Sequence, residues 1–583
     1  MADQRDACCR GGERMKIHQF GTSLFRTGRG LAPADFGAGS GPALEISKLD
    51  FEETSNAGDT LAAVSVFDSS AGLSLSALNF DDSAGAGDAL AGLEMGMPWT
   101  FKLIDDAGGR FALSGNNLVR GLTALDHKVT PSPSVTIEAT DGKRVRRKTF
   151  IANVRGVNAW SPIHAKLDGG QNATLFINGD STAYPDPGIF YRLAMAMGEM
   201  HDATVIVCRW AEWQTSAATG PKAYADPVTL RTGTRGTLNV YLASLPGGMA
   251  GYMFADQRAA ALAIPTPDLC IMHQGHNMQS FELSGGDVRY VSGKSCFLGP
   301  IGMTCLKWPG VPQIITTQNP KRGSTGYDKV RAAILEIGAS LTDIMVIDTH
   351  QVFMNAGKPS NWYLDDTHPN DEGYARIADW LIASYRGSTP VAGFTTAPWP
   401  LTAATNLHAN PDFSNWTGAV PVNWSAQAPA TATKDTNVKW PGFAHSFSMV
   451  PNGNAAAGMV RYIRTTELTP LLGKRVTVAI LYYTVAGQRS PTINLVVKSG
   501  GSVRTLVGAA LHFGGAGDQV TGGWMLAVFH NVLIDADIDT NGFNTYFSIR
   551  PGFGVTAPAS NLPLRLQKIM MVEGDKPRIG LAA

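Results

Sequence analysis

The stretch Ala173-Thr-Leu-Phe-Ile-Asn-Gly-Asp-Ser181 decides the fold of the central part of the chain. Its first five residues are apolar or β-branched, which is typical of a strand that is buried on both faces of a parallel sheet. Gly179 and Asp180 then lead into a serine at the carboxyl edge of the strand, where open α/β sheets bind their ligands. The stretch therefore predicts a buried strand that carries Ser181 to the edge at which a substrate would bind.

Strand patterns and helix patterns alternate after this stretch. The predicted strands are 173–178, 203–208, 237–243, 268–273, 311–317 and 343–348, and the predicted helices are 189–200, 252–262, 327–337 and 371–385. Strands that alternate with helices indicate a parallel sheet covered on both faces. Residues 156–388 are therefore expected to form a three-layer α/β domain with a flavodoxin-like, parallel sheet.

Both flanks of the α/β region have short, alternating apolar runs. Val135–Ala139 lies in the N-terminal flank at 49–155, and Val476–Tyr483 lies in the C-terminal flank at 403–583. Together with a high content of glycine, 64 residues, such runs predict antiparallel β-sandwiches with tight turns. The chain is therefore expected to be multidomain, with one β-sandwich on either side of the α/β domain.

Two segments fall outside these domains. Residues 389–402 are expected to be a linker, because the stretch from Arg386 to Pro400 is rich in Gly, Ser, Thr and Pro. Residues 1–48 form an N-terminal extension, and the residues around Arg10–Met15 have the composition of a translated ribosome-binding sequence. We expect Met15 to be the natural start and residues 1–14 to be non-native.

The composition argues against several classes of function. Lys plus Arg and Asp plus Glu number 48 each, so no net field attracts nucleic acid or an anionic membrane. The apolar runs are too short to cross a bilayer, and the N-terminus lacks a signal-peptide core. The six cysteines show no CxxC spacing, so no metal site and no cofactor are expected. The protein is expected to be soluble, without nucleic-acid partners or membrane insertion.

A histidine follows the last predicted strand. The segment Trp362-Tyr-Leu-Asp-Asp-Thr-His368 precedes the last predicted helix and so lies at the edge of the sheet that carries Ser181. A serine hydroxyl needs a base to attack at neutral pH, and the base needs a carboxylate that fixes its tautomer. His368 is the expected base and Asp365 its expected partner, with Asp366 as the alternative. Each element alone is also compatible with helix capping.

Two further loops offer hydrogen-bond donors for a developing negative charge. Gly247 lies in the loop after the third strand and offers a backbone N–H, and Asn277 follows the fourth strand and offers a side-chain amide. With the N–H of Ser181 they make a three-donor oxyanion hole on different strands of one sheet. Gly248 and Gly251 are the alternatives to Gly247.

Taken in order, these segments resemble the motif blocks of SGNH (GDSL-like) hydrolases. The blocks are Gly179-Asp-Ser181, Gly247, Gly275-His-Asn277 and Asp365-Asp-Thr-His368, within about 173–385. The resemblance implies a serine esterase that needs no cofactor, with Ser181 as nucleophile, His368 as base and Asp365 as its orienting partner. Met278 stands where the third block of the family commonly has an aspartate.

Three aromatic or imidazole side chains are candidates for contact with the substrate. Trp210 and Trp213 follow the second predicted strand and are candidates for a wall on which a sugar ring stacks. His276 flanks the donor loop and is a candidate for a substrate contact. Packing as loop anchors is the alternative for the two tryptophans, and an incidental position in the loop is the alternative for His276.

The flanks resemble other families. The N-terminal region resembles a bacterial cadherin-like domain, but Lys128 stands where that family has a calcium ligand, which argues against calcium binding. Asn406–Trp416 is similar to the opening of jelly-roll carbohydrate-binding modules, and Leu564–Gly574 resembles the final strand of phage tail sandwiches. A purely structural sandwich is the alternative for the C-terminal region.

Together, these expectations predict an esterase that removes acyl groups, above all O-acetyl groups, from surface or capsular glycans. Its partners would be an acylated polysaccharide, further copies of the chain or virion tail proteins, and its location a phage tail or an extracellular surface. The alternative is a non-catalytic glycan- or receptor-binding tail protein on the same scaffold. The presence together of Ser181, Asn277, Asp365 and His368 favours the enzyme.

Overall fold

A computed structural model describes the following residues: 43–46, 50–52, 60–67, 100–123, 134–140, 142, 145–151, 153–155, 157–212, 222–278, 293–323, 325, 327–392, 394–396, 407, 410, 412–427, 430–451, 458–463, 465–485, 492–499, 502–510, 522–540, 546–550 and 562–574. The predicted start at Met15, the cation at Lys128 and the candidate Trp213 lie outside the described residues. The chain divides into two compact units, of which the second contains everything from residue 152 onward and a short strand at 50–52.

The N-terminal strands are β1 (Ala43–Ile46), β2 (Asp50–Glu52), β3 (Thr60–Phe67), β4 (Thr100–Asp105), β5 (Phe111–Ser114), β6 (Asn117–Arg120), β7 (Ser134–Thr140), β8 (Val145–Ile151) and β9 (Asn153–Arg155). In the first unit β1-β3-β6-β5 form one antiparallel sheet and β4-β7-β8 another, whereas β2 pairs with β9 in parallel in the second unit. Val135, Ile137 and Ala139 of β7 are fully buried, as the alternation of strand side chains requires. The antiparallel character of this region is therefore as predicted.

The α/β region has a mixed sheet in the order β12-β11-β13-β10-β14-β15-β16. Its strands are β10 (Ala173–Gly179), β11 (Ala203–Arg209), β12 (Val228–Arg231), β13 (Arg235–Ser244), β14 (Leu269–His273), β15 (Gln313–Thr316) and β16 (Met345–Ile347). Its helices are α1 (Ser161–Asp168), α2 (Ile189–His201), α3 (Ala259–Leu262), α4 (Gly293–Lys307), α5 (Asp328–Ser340), α6 (His350–Asn355) and α7 (Asp371–Arg386), with 3₁₀ turns at Tyr252–Phe254, Asp256–Arg258 and Ser360–Trp362.

Strand β10 shows why the domain has three layers. Leu175 and Ile177 pack into a cluster with residues of α1, α2 and α7, whereas Phe176 between them packs into a second cluster with residues of α4 and α5. Because successive side chains of a strand point to opposite faces, an unbroken apolar run needs an apolar layer on each side. The apolar stretch at 173–177 therefore lies at the centre of a covered sheet, as predicted.

The α/β region differs from the predicted one in three respects, two in its sheet and one in a helix. The edge strand β12 runs antiparallel to β11, so the sheet is not purely parallel. A flavodoxin-like order would put the first strand between the second and the third, but β10 lies between β13 and β14. The predicted helix at 252–262 is broken into short turns because Ala255 is extended and pairs with Gly523 of the C-terminal region.

The C-terminal region consists of two antiparallel sheets, β19-β22-β27-β24-β25 and β20-β21-β28-β23-β26, and a small hairpin, β17-β18. The elements are β17 (Trp416–Thr417), β18 (Val420–Pro421), β19 (Trp424–Gln427), β20 (Ala430–Asp435), β21 (Ser446–Pro451), β22 (Gly458–Tyr462), α8 (Thr465–Leu468), a 3₁₀ turn at Thr469–Leu471, β23 (Arg475–Thr484), β24 (Thr492–Ser499), β25 (Ser502–Ala510), β26 (Gly523–Leu533), β27 (Tyr546–Arg550) and β28 (Leu564–Glu573).

The C-terminal sheets share an apolar core with the α/β region. Helix α4 approaches β26 so closely that a Cβ atom at Gly299 would lie 2.1 Å from the carbonyl oxygen of Leu526. The N–H of Asp256 also donates to the carbonyl of Gly522 at 2.8 Å. In the segment predicted to be a linker, Thr396 is 1% exposed and its N–H donates to Gly310. This part of the segment therefore packs against the α/β region. None of the described helices is both long and apolar enough to cross a membrane.

Candidate active site

The candidate residues follow strands that end at one level of the sheet. Gly179 at the end of β10 is in register with Ser244 of β13 on one side and His273 of β14 on the other. The loops that carry Ser181, Gly247 and Asn277 therefore start side by side. The connection that follows β10 leads to β11 on one side of the sheet, whereas the connection that follows the adjacent β14 leads to β15 on the other side. Such a reversal between neighbouring strands is the point at which open α/β sheets form a crevice.

Close packing at this point requires a glycine. A Cβ atom at Gly179 would lie 2.3 Å from the Cβ of Ala183 and 2.6 Å from the Oγ of Ser244. Both distances are far below a van der Waals contact, so a larger residue would push the serine loop away from β13. Gly179 therefore lets the chain turn sharply and present the half-buried Ser181 at the edge of the sheet.

Ser181, His368 and Asp365 form a continuous hydrogen-bonded chain. The Oγ of Ser181 lies 2.8 Å from Nε2 of His368, although the two residues are 187 positions apart. The Nδ1 of the same imidazole lies 2.7 Å from Oδ2 of Asp365. With Nδ1 protonated and donating to the carboxylate, Nε2 is free to accept the serine proton.

The carboxylate of Asp365 is held by its own loop. Its Oδ1 accepts the backbone N–H groups of Thr367 and His368, both at 2.7 Å. Burial acts to raise the pKa of Asp365, but the hydrogen bonds from the N–H of His368, its imidazole and Thr367 outweigh burial and lower that pKa to about 2. Asp366, the alternative partner, instead binds Arg322 at 2.9 Å. Asp365 is therefore charged over the whole ordinary pH range.

The predicted oxyanion donors Gly247 and Asn277 lie in the loops that follow the two strands paired with β10. Asn277 donates one amide hydrogen to the carbonyl of Gly248 at 2.9 Å, which orients the side chain and leaves the second hydrogen for another acceptor. Gly247 has a φ of 77°, in the left-handed region that favours glycine. The N–H of the alternative, Gly248, already donates to Leu245. Within the described parts of the chain, the N–H groups of Ser181 and Gly247 have no acceptor.

A buried network beneath the site contains residues that the sequence analysis missed. Asp180 is fully buried, and its carboxylate accepts hydrogen bonds from Thr182 and from Nε2 of Gln318 at 2.9 Å. Burial raises the pKa of Asp180, and these hydrogen bonds oppose the shift. Gln318 and Asn319 lie two and three residues beyond the end of β15 and are fully buried. The polar run Thr-Gln-Asn after a buried strand was the signal that could have drawn attention to them.

Two of the three candidates for substrate contact, Trp210 and His276, are buried. Trp210 is fully buried, its indole N–H donates to Glu212 at 3.0 Å, and its ring packs against Tyr224. It therefore offers no face on which a sugar could stack. His276 is 6% exposed and packs against Tyr327. Burial lowers the pKa of both His273 and His276 to about 3. These imidazoles are therefore neutral near pH 7 and belong to the support of the site.

The described residues contain no group of three or more His, Cys, Asp or Glu side chains arranged to hold a metal ion.

No protein-family model and no curated protein matches this chain. Among solved structures, a peptidoglycan O-acetylesterase is similar at a TM-score of 0.28 and 12% identity over 39% of this chain and 95% of that chain. A protein of the G-D-S-L family from Desulfitobacterium hafniense is similar at a TM-score of 0.25 and 15% sequence identity. The match covers 37% of this chain and 99% of that chain. The C-terminal family 22 carbohydrate-binding module of Clostridium thermocellum Xyn10B is similar at a TM-score of 0.21 and 12% sequence identity. The match covers 28% of this chain and 90% of that chain. Since every TM-score is below 0.5, the functional assignment depends on the geometry of the site.

Proposed function

We propose that this chain is a serine esterase of SGNH type. The observation that carries the proposal is the chain of hydrogen bonds from Ser181 Oγ through the imidazole of His368 to Asp365, at 2.8 and 2.7 Å. A nucleophile within reach of a base, and a base oriented by a third group, form the minimal arrangement for acyl transfer. The half-buried position of Ser181 at the sheet edge leaves it accessible to a substrate.

The reaction would proceed through an acyl-enzyme. The Oγ of Ser181 attacks the ester carbonyl carbon while Nε2 of His368 takes the serine proton, and Asp365 stabilises the imidazolium. The negative charge on the carbonyl oxygen is stabilised by the N–H groups of Ser181 and Gly247 and by the second amide hydrogen of Asn277. The alcohol leaves with the proton from His368. Water then repeats the sequence on the acyl-enzyme, which releases the acid and restores the serine.

The substrate that we propose is an O-acetylated surface or capsular glycan, and the enzyme itself would be a component of a phage tail or of an extracellular surface. This part of the proposal is supported by the sequence resemblance of the C-terminal region to carbohydrate-binding modules and to tail proteins. The oligomeric partners would be copies of this chain or other tail proteins. A non-catalytic binding platform is the competing function, and it differs in one measurable property, since it releases no acid from an ester.

The test compares wild type with Ser181→Ala and with the matched control Ser360→Ala, an exposed serine in a 3₁₀ turn. Hydrolysis of p-nitrophenyl acetate and acetate release from O-acetylated polysaccharides are measured together with labelling by a fluorophosphonate. We expect Ser181→Ala to lose both turnover and labelling, and Ser360→Ala to keep both. Residual turnover within tenfold of wild type in Ser181→Ala would reject the nucleophile. Glycan binding without acid release by wild type would favour the non-catalytic platform.

A further inference from the structure

Gln318 and Asn319 contact all three loops of the candidate site. Both side chains are fully buried, and both follow the end of β15. We propose that this pair is a positioning frame that holds the nucleophile loop, the oxyanion loop and the base loop in register. The inference rests on the proposed esterase function and assigns residues that act through their neighbours and touch no substrate.

Gln318 joins the nucleophile loop to the oxyanion loop. Its Nε2 lies 2.9 Å from each carboxylate oxygen of Asp180 and 2.7 Å from Oγ1 of Thr182. Its Oε1 accepts the backbone N–H of His276 at 2.7 Å. Its own N–H donates to the hydroxyl of Tyr327 at 2.6 Å, which fixes the backbone from which the side chain starts.

The side chain at position 318 has to donate on one side and accept on the other. A carboxamide does both, because its NH₂ faces the carboxylate of Asp180 and its oxygen faces an N–H group. A glutamate would place a second carboxylate against the buried Asp180, and a leucine would leave both partners buried without a hydrogen bond. The orientation of the amide is also determined, since the flipped form would set oxygen against oxygen.

Asn319 joins the base loop to the same frame. Its Nδ2 donates to the carbonyl of Thr367 at 2.8 Å, and its Oδ1 lies 3.4 Å from Nε2 of His276. The residues that the pair holds are Asp180, His276 and Thr367, and each directly precedes one of the residues assigned to the reaction, Ser181, Asn277 and His368. The frame therefore fixes the position of each reacting group through the adjacent peptide.

The frame predicts a loss in turnover without a matching loss in substrate binding. A displacement of about 1 Å in a reacting group can cost ~10²-fold in rate, so we expect Gln318→Leu to lower kcat ~10–100-fold with KM within threefold. The matched control is Gln313→Leu, a buried glutamine within β15 whose amide donates to Cys305 Sγ. Rates are expressed per active site titrated with a fluorophosphonate, so that misfolded protein does not count.

A pH series separates positioning from simple packing. In Gln318→Glu the introduced carboxyl can donate to Asp180 when it is protonated and repels Asp180 when it is ionised. We therefore expect the ratio of variant to wild-type kcat to fall as the pH rises. Asn319→Asp should behave likewise, because its protonated form can still donate to Thr367, and it serves as the second variant if Gln318→Leu does not fold.

The inference is overturned if kcat per titrated site is unchanged in Gln318→Leu, or if both acidic variants give a ratio that does not vary with pH. It is also overturned if Gln313→Leu loses as much turnover as Gln318→Leu. Failure of the proposed function has a different signature, in which Ser181→Ala retains the turnover of wild type.

Discussion

Replacing Asp365 by asparagine tests how the imidazole of His368 is oriented. The Oδ1 of the new amide can keep the two backbone hydrogen bonds from Thr367 and His368, so the loop should retain its shape. Its NH₂ would then face Nδ1 of His368, which lies 2.7 Å from the present carboxylate oxygen. Because two donors cannot share a hydrogen bond, the imidazole proton moves to Nε2. Nε2 would then present a hydrogen to Ser181 and could not accept the serine proton.

The size of the effect follows from the exposure of the carboxylate. The same change in a buried Ser-His-Asp triad lowers kcat ~10⁴-fold, through the wrong tautomer and the lost charge. The side chain of Asp365 is 54% exposed, so water screens the charge contribution while the tautomer contribution remains. We therefore expect kcat for p-nitrophenyl acetate to fall ~10²–10⁴-fold.

The neighbouring carboxylate provides the control. Asp366 is 75% exposed and binds Arg322 rather than His368, so Asp366→Asn should keep kcat within about threefold, since exposed ion pairs contribute little. Because the pKa of Asp365 is lowered to about 2, Asp365 does not titrate between pH 5 and 9. The acid limb of the wild-type profile between pH 5 and 9 should therefore contain no contribution from Asp365. Activity within tenfold of wild type in Asp365→Asn, or a larger loss in Asp366→Asn, would refute the assignment.

Two further predictions concern the oxyanion loop and its support. Asn277→Ala should lower kcat ~10²–10³-fold, the usual cost of one oxyanion donor, and a change confined to KM in steady-state assays would place Asn277 in substrate binding instead. Burial lowers the pKa of His273 and His276 to about 3, so between that pH and about 6.5 the unfolded chain binds protons that the folded chain does not. The free energy of unfolding should therefore have its full value above about pH 6.5 and decrease as the pH falls toward 3. The decrease should be less steep in His273→Gln. Urea denaturation at several pH values measures both. A stability that stays constant from pH 7 to pH 4 would contradict this account.

Local sequence patterns were sufficient for the central strands and for several helix ends. The predicted strands 173–178 and 203–208 correspond to β10 and β11 within one residue. Asn370, whose residue type is typical of a helix N-cap, accepts the N–H of Gly373 at the start of α7. These features depend on neighbours in the chain, and periodicity and capping chemistry report such neighbours directly.

Other features could not be obtained from local patterns. The break in the predicted helix at 252–262 depends on pairing between Ala255 and Gly523, and the burial of Trp210 depends on Glu212 and Tyr224 in a folded loop. The position of β13 beside β10 depends on which strand edges pair. An apolar run predicts that a strand is covered on both faces, but it does not predict which strand lies beside it.

For the candidate site, the sequence by itself determined which reactive side chains are present and which edge of the sheet they occupy, because each follows a strand of recognisable pattern. The tertiary structure decided that Asp365 rather than Asp366 contacts His368, and that Gln318 lies against Asp180 although 138 positions separate them. The physical reason is that a hydrogen bond requires distances of about 3 Å and aligned donors. Contacts of that precision between distant residues arise only when packing has fixed the strands and loops that carry them.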